Sequence, residues 1–373
     1  MTVPILQIHL NKLFLMFLNT PGKRHIIKYL FVRRLNMSNV FIPENYTAKL
    51  SMYDTQKAIG LIHTIFSEEL CNALSICRVS APLFVSAASG LNDNLSGVER
   101  PVDFEVKEDG SHCQIVQSLA KWKRKALRDY DFHVGKGIYA EMNAIRRDED
   151  LDNLHSVYVD QWDWEKVISV YDRNEQYLKS TVISIVNAIC NTEERMRQLY
   201  PTLKELTPVK RDVTFITSQE LLDLYPDKTA KEREDLFTKD HKTVFISKIG
   251  GPLSNGKPHD GRAPDYDDWE LNGDILVWNE TLGKAFELSS MGIRVSPESL
   301  DRQLTAAGCD DRRELEYHKA LLAGEYPYTI GGGIGQSRLC MILLGCAHIG
   351  EVQAAVWDDA TKDACREAGI QIL

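Results

Sequence analysis

Four stretches of the chain set charged residues inside sequence that otherwise reads as buried strand, where charge is costly unless it is paired or used. In "AIRRDED" (144–150), Arg146 ends an apolar strand, and Asp148, Glu149 and Asp150 form a turn. In "SVYVDQWDWE" (156–165), Asp160, Gln161 and Asp163 alternate with Val159, Trp162 and Trp164. One face of that strand is aromatic, and Gln161 and Asp163 point alike on the other, as in a pocket wall. In "FELSSMGIRV" (286–295), alternation puts Glu287, Ser289, Met291 and Ile293 on one face and Leu288, Ser290 and Gly292 on the other. Glu287 and Asp274, the latter in "NGDILVW" (272–278), are carboxylates amid apolar neighbours. Two such hard oxygen donors suit Mg²⁺ held against phosphates. The competing reading pairs Glu287 with Arg294.

The fourth stretch, "TIGGGIGQSRLCMIL" (329–343), places Gly331, Gly332, Gly333 and Gly335 before Arg338. It is not a P-loop, which requires a lysine after its last glycine. Nor is it a dinucleotide fingerprint, whose third glycine would fall on Arg338. The pattern predicts a strand, a tight glycine turn, and a helix with Arg338 in its first turn. Glycines let a ligand approach the backbone, a helix start offers free N–H groups, and arginine adds a planar charged fork. Close helix–strand packing with a surface arginine explains the same residues.

The elements that must position these groups are legible in outline. Residues 52–72 place Ile59, Ile62, His63 and Phe66 on one helical face. Strand sequence follows at 78–85, 102–107 and 112–118, then a short basic helix at 119–130. Strands at 137–150 and 155–168 share a charged loop, and residues 175–200 form a long amphipathic helix with another at 218–226. Strands at 242–250, 273–279 and 284–295 and helices at 297–306 and 311–323 lead to the glycine stretch. The order of elements predicts an α+β fold: an antiparallel sheet flanked by helices, not regular βαβ alternation.

Composition limits the function classes. The chain has 373 residues, 43% hydrophobic and 26% charged, as in soluble globular proteins. A net charge of −9 argues against a nucleic-acid binder, which needs a basic surface. Its 8 cysteines show no C-x-x-C and no zinc spacing, which reads as reduced thiols in the cytoplasm. Residues 1–36 hold six basic residues (Lys12, Lys23, Arg24, Lys28, Arg33 and Arg34) and no acid. The apolar run "LFLMFL" (13–18) is far short of the ~20 residues of a membrane span. The leader reads as an irregular, dispensable extension, with Met37 as the start of the main domain, 37–373. A mitochondrial presequence is the other reading.

Taken together, these motifs resemble a known family. "FELSSMGIRV" followed by "GGGIGQSRL" resembles the closing half of class II aminoacyl-tRNA synthetase catalytic domains of the aspartate, asparagine and lysine subgroup. "AIRRDED" stands at that class's second motif, with Ile145 for its aromatic residue and Asp148 for its glutamate. Closer still is the ammonia-dependent asparagine synthetase, or aspartate–ammonia ligase. "DNLSG" (93–97), "VQSLAKWKR" (116–124), "LHSVYVDQWDWE" (154–165), "SQELL" (218–222), "RAPDYDDW" (262–269) and "LNGDILVWN" (271–279) all resemble it. The likeness runs from Tyr53 to Trp357, with a short "ELNGD" after "DYDDW" where some members carry an insert.

The resemblance implies a homodimeric enzyme that joins L-aspartate to AMP from ATP with Mg²⁺ and lets ammonia displace it, with no nucleic acid or membrane as partner. By position it implies that Ser118, Lys123, Arg146, Gln161, Asp163, Asp267, Ser290 and Arg294 surround aspartate. Asp163 would take the α-ammonium, and Lys123 with Arg294 the carboxylates. Arg146, Arg262, Gly331, Gly333, Gly335 and Arg338 would hold ATP, with Asp274 and Glu287 on Mg²⁺. Asp93 is the candidate base for ammonia; as a helix or turn cap it would need no further role. Free ammonia is the expected donor, because no Cys–His pair stands at a recognisable spacing. Two other readings share many of these motifs: a tRNA synthetase, and a synthetase paralogue without activity. The first lacks room for an anticodon-binding barrel before the catalytic region, and the second is at odds with three retained arginines, Arg146, Arg294 and Arg338.

Overall fold

A computed structural model of the chain describes residues 39–93, 95 and 99–373. The basic leader lies outside the described residues, as do Asn94, Ser96 and Gly97 of "DNLSG".

Helix α1, Met52–Leu74, opens on Ser51, whose hydroxyl accepts the Asp54 N–H. It buries Ala58, Ile62, Ile65, Phe66, Leu70 and Leu74. The apolar stripe thus includes the expected Ile62 and Phe66 but runs past Ile65, leaving Ile59 and His63 at its margin. Strand β1, Ile76–Arg78, follows. β2, Phe84–Ser86, β3, Asp103–Glu105, and β4, His112–Ile115, form a small antiparallel sheet in the order β2-β4-β3. Next come α2, Ala120–Asp129, β5, Gly137–Ile145, β6, Tyr158–Val167, and the long helix α3, Glu175–Leu199.

The second half begins with β7, Thr214–Thr217, α4, Ser218–Leu224, α5, Ala230–His241, and β8, Thr243–Ser247. No helix was expected at α5, whose sequence is mostly charged. Its start carries a reciprocal cap between Thr229 and Glu232, which is the local signal for it. Then follow β9, Asp267–Asn279, β10, Lys284–Arg294, α6, Pro297–Ala306, α7, Glu316–Leu322, β11, Thr329–Gly335, α8, Gln336–Leu344, and α9, Asp359–Glu367.

The large sheet has the order β1-β5-β6-β11-β10-β9-β8-β7. The expected antiparallel pairing holds for β5 through β8 in that order, while each edge strand, β1 and β7, pairs parallel. One face carries the main core. Trp162 and Trp164 from β6, Met291 and Ile293 from β10, and Ile330 and Ile334 from β11 pack with α1, α3 and α8. Trp162 sets its ring 4.6 Å from that of Phe66 and donates to Ser67 Oγ at 3.0 Å. The opposite face is covered only toward its ends. There α5 packs Phe237 with Val244 and Leu276, and α2 packs Ala126 and Leu127 with Ile138 and Val167. Between these two clusters the middle strands stay open, and there the polar halves of β6, β10 and β11 face. Among the described residues no helix is long and apolar enough to cross a membrane.

Two local expectations change. The glycines do not form a turn. Gly331 to Gly335 continue β11, pairing with Glu165 to Gln161 on one side and with Gly292 to Ser289 on the other for all but the last, and α8 begins directly at Gln336. In β10 strict alternation breaks at a bulge between Glu287 and Ser289. The extra residue re-aims the strand, so Glu287 and Ser290 share the open face while Ser289 is buried.

Candidate active site

The open face forms the floor of a cavity of about 300 Å³, the size that holds small ligands. Gln161 and Asp163 reach it from β6, Gly333 and Gly335 from β11, and Glu287, Ser290 and Arg294 from β10. Asp93, Ser118, Arg146, Arg262, Asp267 and Arg338 complete its wall. The residues expected to act together thus meet in one place. Lys123, Asp274 and Gly331 are the exceptions, each standing behind the wall rather than on it.

One end of the cavity is a buried ionic network. Arg294 donates through Nε to both Glu165 oxygens at 3.0 Å and through a terminal nitrogen to Oε2 at 2.8 Å. Its other terminal nitrogen bonds Asp267. Lys123, fully buried, pairs with Asp163 and donates to the carbonyls of Trp164 at 2.8 Å and Gly332 at 3.3 Å. It lies 3.7 Å from Glu165. Burial alone would raise the Glu165 carboxyl, but Arg294 and Lys123 hold it below the usual glutamate range. Burial likewise pushes Lys123 down against the pull of Asp163 and Glu165. Three acids and two bases leave the network one negative charge in excess, which suits a substrate bearing an ammonium group. The pairing of Glu287 with Arg294 is not made, because Glu165 and Asp267 occupy the guanidinium.

The other end is rich in arginine. Arg338, in the first turn of α8 as expected, donates to the Glu287 carbonyl at 3.1 Å and lies 3.8 Å from its carboxylate. Arg262 bonds the Ser290 hydroxyl and, at 2.6 Å, Asp274. Arg146 follows β5 directly. Its Nε and that of Arg262 are buried without a hydrogen-bond partner among the described residues, an arrangement costly to leave empty-handed. Burial pushes the Asp274 carboxyl up to about 6 against the pull of Arg262, and the charge of Glu287 adds to the rise. Partial burial would raise Glu287 too, but Arg338, Lys231 and Arg262 hold it below its usual range. Asp274 and Glu287 are two hard oxygen donors of the kind a dication takes, Asp274 standing behind the wall and bonded to Arg262; among the described residues no group of three or more possible ligands occurs.

The start of α8 is not a free anion site. Its Ser337 N–H bonds Asp160 at 2.9 Å, and the Ser337 hydroxyl bonds the same carboxylate. What the glycines accommodate is the protein's own polar floor. A Cβ on Gly331 would overlap the Glu165 carboxylate and the Arg294 guanidinium, and one on Gly333 would overlap the Gln161 amide. Glycine here lets the ionic network lie flat beneath the cavity. The arginine after it reaches a backbone carbonyl and a carboxylate with one fork, which the single point charge of lysine does less well.

Ser118 lines the cavity and accepts the Ala120 N–H at 3.1 Å. Asp93 Oδ1 accepts the Leu95 N–H at 2.9 Å, the turn-capping contact foreseen for it, but its Oδ2 is buried with no partner among the described residues. Glu165 and Asp160 were the polar residues of β6 left without roles. For Glu165 the signal was present, since Gln161, Asp163 and Glu165 recur at every second position.

Comparison with known proteins agrees with this geometry. A family model described as aspartate-ammonia ligase matches residues 53–369. The aspartate–ammonia ligase of Clostridium tetani is 57% identical over 335 residues, 90% of this chain and 98% of that protein. That of Lactobacillus johnsonii is 54% identical over 336 residues, covering 90% and 99%. Among solved structures, an asparaginyl-tRNA synthetase of Entamoeba histolytica in complex with asparaginyl-adenylate superposes with a TM-score of 0.60 at 13% identity. It covers 81% of this chain and 66% of that one. The Pyrococcus horikoshii asparaginyl-tRNA synthetase complexed with asparaginyl-adenylate gives 0.58 at 14% identity, covering 82% and 70%. The fold is therefore that of class II aminoacyl-tRNA synthetases, and by sequence the chain belongs to the aspartate-ammonia ligase family.

Proposed function

We propose that this ligase, which converts L-aspartate and ammonia to L-asparagine with ATP, works through an aspartyl-adenylate and releases AMP and pyrophosphate. The observation that carries the reading is one cavity with an ionic network at one end and Arg146, Arg262 and Arg338 at the other. Asp163 receives the substrate α-ammonium, with Gln161, Ser118 and Ser290 as neutral partners. Arg294, its guanidinium aligned by Asp267, faces the carboxylate end, and Lys123 acts through Asp163, which it fixes from behind. The substrate's side-chain carboxylate oxygen then attacks the α-phosphorus, and pyrophosphate leaves. Arg146 meets the charge that develops at phosphorus, while Arg262 and Arg338 hold the outer phosphates or the base. Asp274 and Glu287 would hold Mg²⁺, which when bound neutralises phosphate charge. Asp93 takes one proton from bound ammonium, the ammonia so formed attacks the acyl carbon, and AMP leaves with the second proton on its phosphate. A homodimer belongs to the same reading.

Asp93 separates the two half-reactions. Asparagine formation should fall steeply in Asp93→Asn, whereas aspartate-dependent exchange of labelled pyrophosphate into ATP, measured without ammonia, should persist. Equal loss of both would remove Asp93 from the amination step, and glutamine used as efficiently as ammonium would overturn the donor.

A further inference from the structure

A buried charged cluster stands behind Asp93, and the scheme above gives it no work. Asp265 is fully buried and offers a single oxygen, Oδ2, to three donors. His318 Nε2 lies at 2.9 Å, Arg312 at 3.0 Å and Lys121 Nζ at 3.3 Å. Lys121 comes from the first turn of α2 and is 3% exposed, while Arg312 and His318 come from the segment before β11. Burying so many ionic groups is rarely justified by stability alone, since apolar packing of the same volume does as well or better.

Asp93 is the neighbour that this arrangement affects: Asn92 beside it accepts the Gln117 N–H at 2.9 Å, and Asp93 lines the cavity together with Ala120 and Tyr266, the chain neighbours of Lys121 and Asp265. Burial raises its carboxyl, Lys121 opposes that rise most strongly, Asp265 adds to it, and Arg146 opposes it from the cavity side. Arg312 lies within range as well, and the Tyr266 phenol beside them is held neutral, its ionisation pushed well up by burial and by Asp93 and Asp267. Asp93 Oδ1 is fixed by Leu95, and Oδ2, which has no partner among the described residues, is the oxygen placed to meet a substrate hydrogen.

We propose that Lys121 is a positioning residue for the amination step: clamped by Asp265, with Arg312 and His318 behind it, it sets a fixed positive charge beside Asp93, the carboxylate that meets the incoming ammonium. This rests on Asp93 acting in amination as described above. The lysine cannot wander, because the oxygen that holds it is itself held from two further directions. Without the Lys121 charge, Asp93 would take up its proton at higher pH and lose its attraction for a cation.

The test is Lys121→Met and Lys121→Arg in the full chain, with asparagine formation followed across pH and pyrophosphate exchange beside it. The acid limb of asparagine formation should move up by about one pH unit in Lys121→Met. The titration of ammonia is common to all the proteins and cancels in the comparison. Exchange should stay close to that of the parent, and Lys121→Arg should return the limb toward its original place. An unmoved limb, or asparagine formation and exchange lowered in proportion, overturns the proposal. Should Lys121→Met fail to fold, His318→Gln, which loosens the clamp while keeping the lysine, should shift the limb the same way, and no shift there is equally decisive. Asp93→Asn is run in parallel. If it leaves amination intact, the reading of Asp93 itself fails. If it disables amination while Lys121→Met changes nothing, only the present inference fails.

Discussion

Arg146→Ala should lower asparagine formation and pyrophosphate exchange together, by roughly 10²–10³-fold, with folding intact. Arg146 follows β5, its main-chain N–H is secured by Val157 at 2.8 Å, and its side chain reaches the cavity with Nε unpartnered among the described residues. It therefore contributes little to holding the sheet together and much to the site. Because it meets charge at the phosphorus, both half-reactions pass through its contact, unlike those of Asp93. Arg146→Lys should recover part of the rate, since charge returns but the fork does not. Steady-state and exchange kinetics at saturating ATP check this, and a variant defective only in amination would contradict the assignment.

Arg294→Met should be the most damaging single replacement for stability, costing about 3–5 kcal/mol by leaving Glu165 and Asp267 buried without their cation. The pH dependence follows from the depressed Glu165 carboxyl. A group ionised more readily in the folded state stabilises above its unfolded pKa, and that stability is lost as pH falls through its lower folded value. In Arg294→Met the depression is relieved and this acid-sensitive contribution disappears, so the deficit relative to the parent should be largest near neutral pH and should narrow as the pH falls. Urea midpoints between neutral and acid pH measure both effects. Equal midpoints at neutral pH, or a gap that does not narrow on acidification, would contradict this account of the network.

Much of this molecule could be read in advance, and what could not has local causes. The polar stripe of β6 was legible because Trp162 and Trp164 are large and alternate cleanly with Gln161 and Asp163, and a period of two survives wherever a strand is regular. β10 defeated the same rule. The bulge at Leu288 shifts the alternation, and nothing in "FELSS" announces it. Glycine at 331–335 reads as a turn by local preference, but pairing on both sides made it strand. There the absent side chains clear room for Glu165, Arg294 and Gln161. Asp265 lies in "RAPDYDDW" and Lys121 in "VQSLAKWKR", but only the fold brings His318 within 2.9 Å of Asp265, so the cluster behind Asp93 could not be read from either motif. Arg146 and Arg294 stand out because charges at or in apolar strands are conspicuous, and Arg338 because it opens an apolar helix.

The central claim is attack on the α-phosphorus by the substrate's side-chain carboxylate, and the products decide it. The purified chain is incubated with L-aspartate, ammonium, ATP and Mg²⁺, and nucleotides, phosphates and amino acids are quantified together. Asparagine, AMP and pyrophosphate in equal amounts are the predicted result; asparagine accompanied by ADP and phosphate would place the attack on the γ-phosphorus and contradict the account.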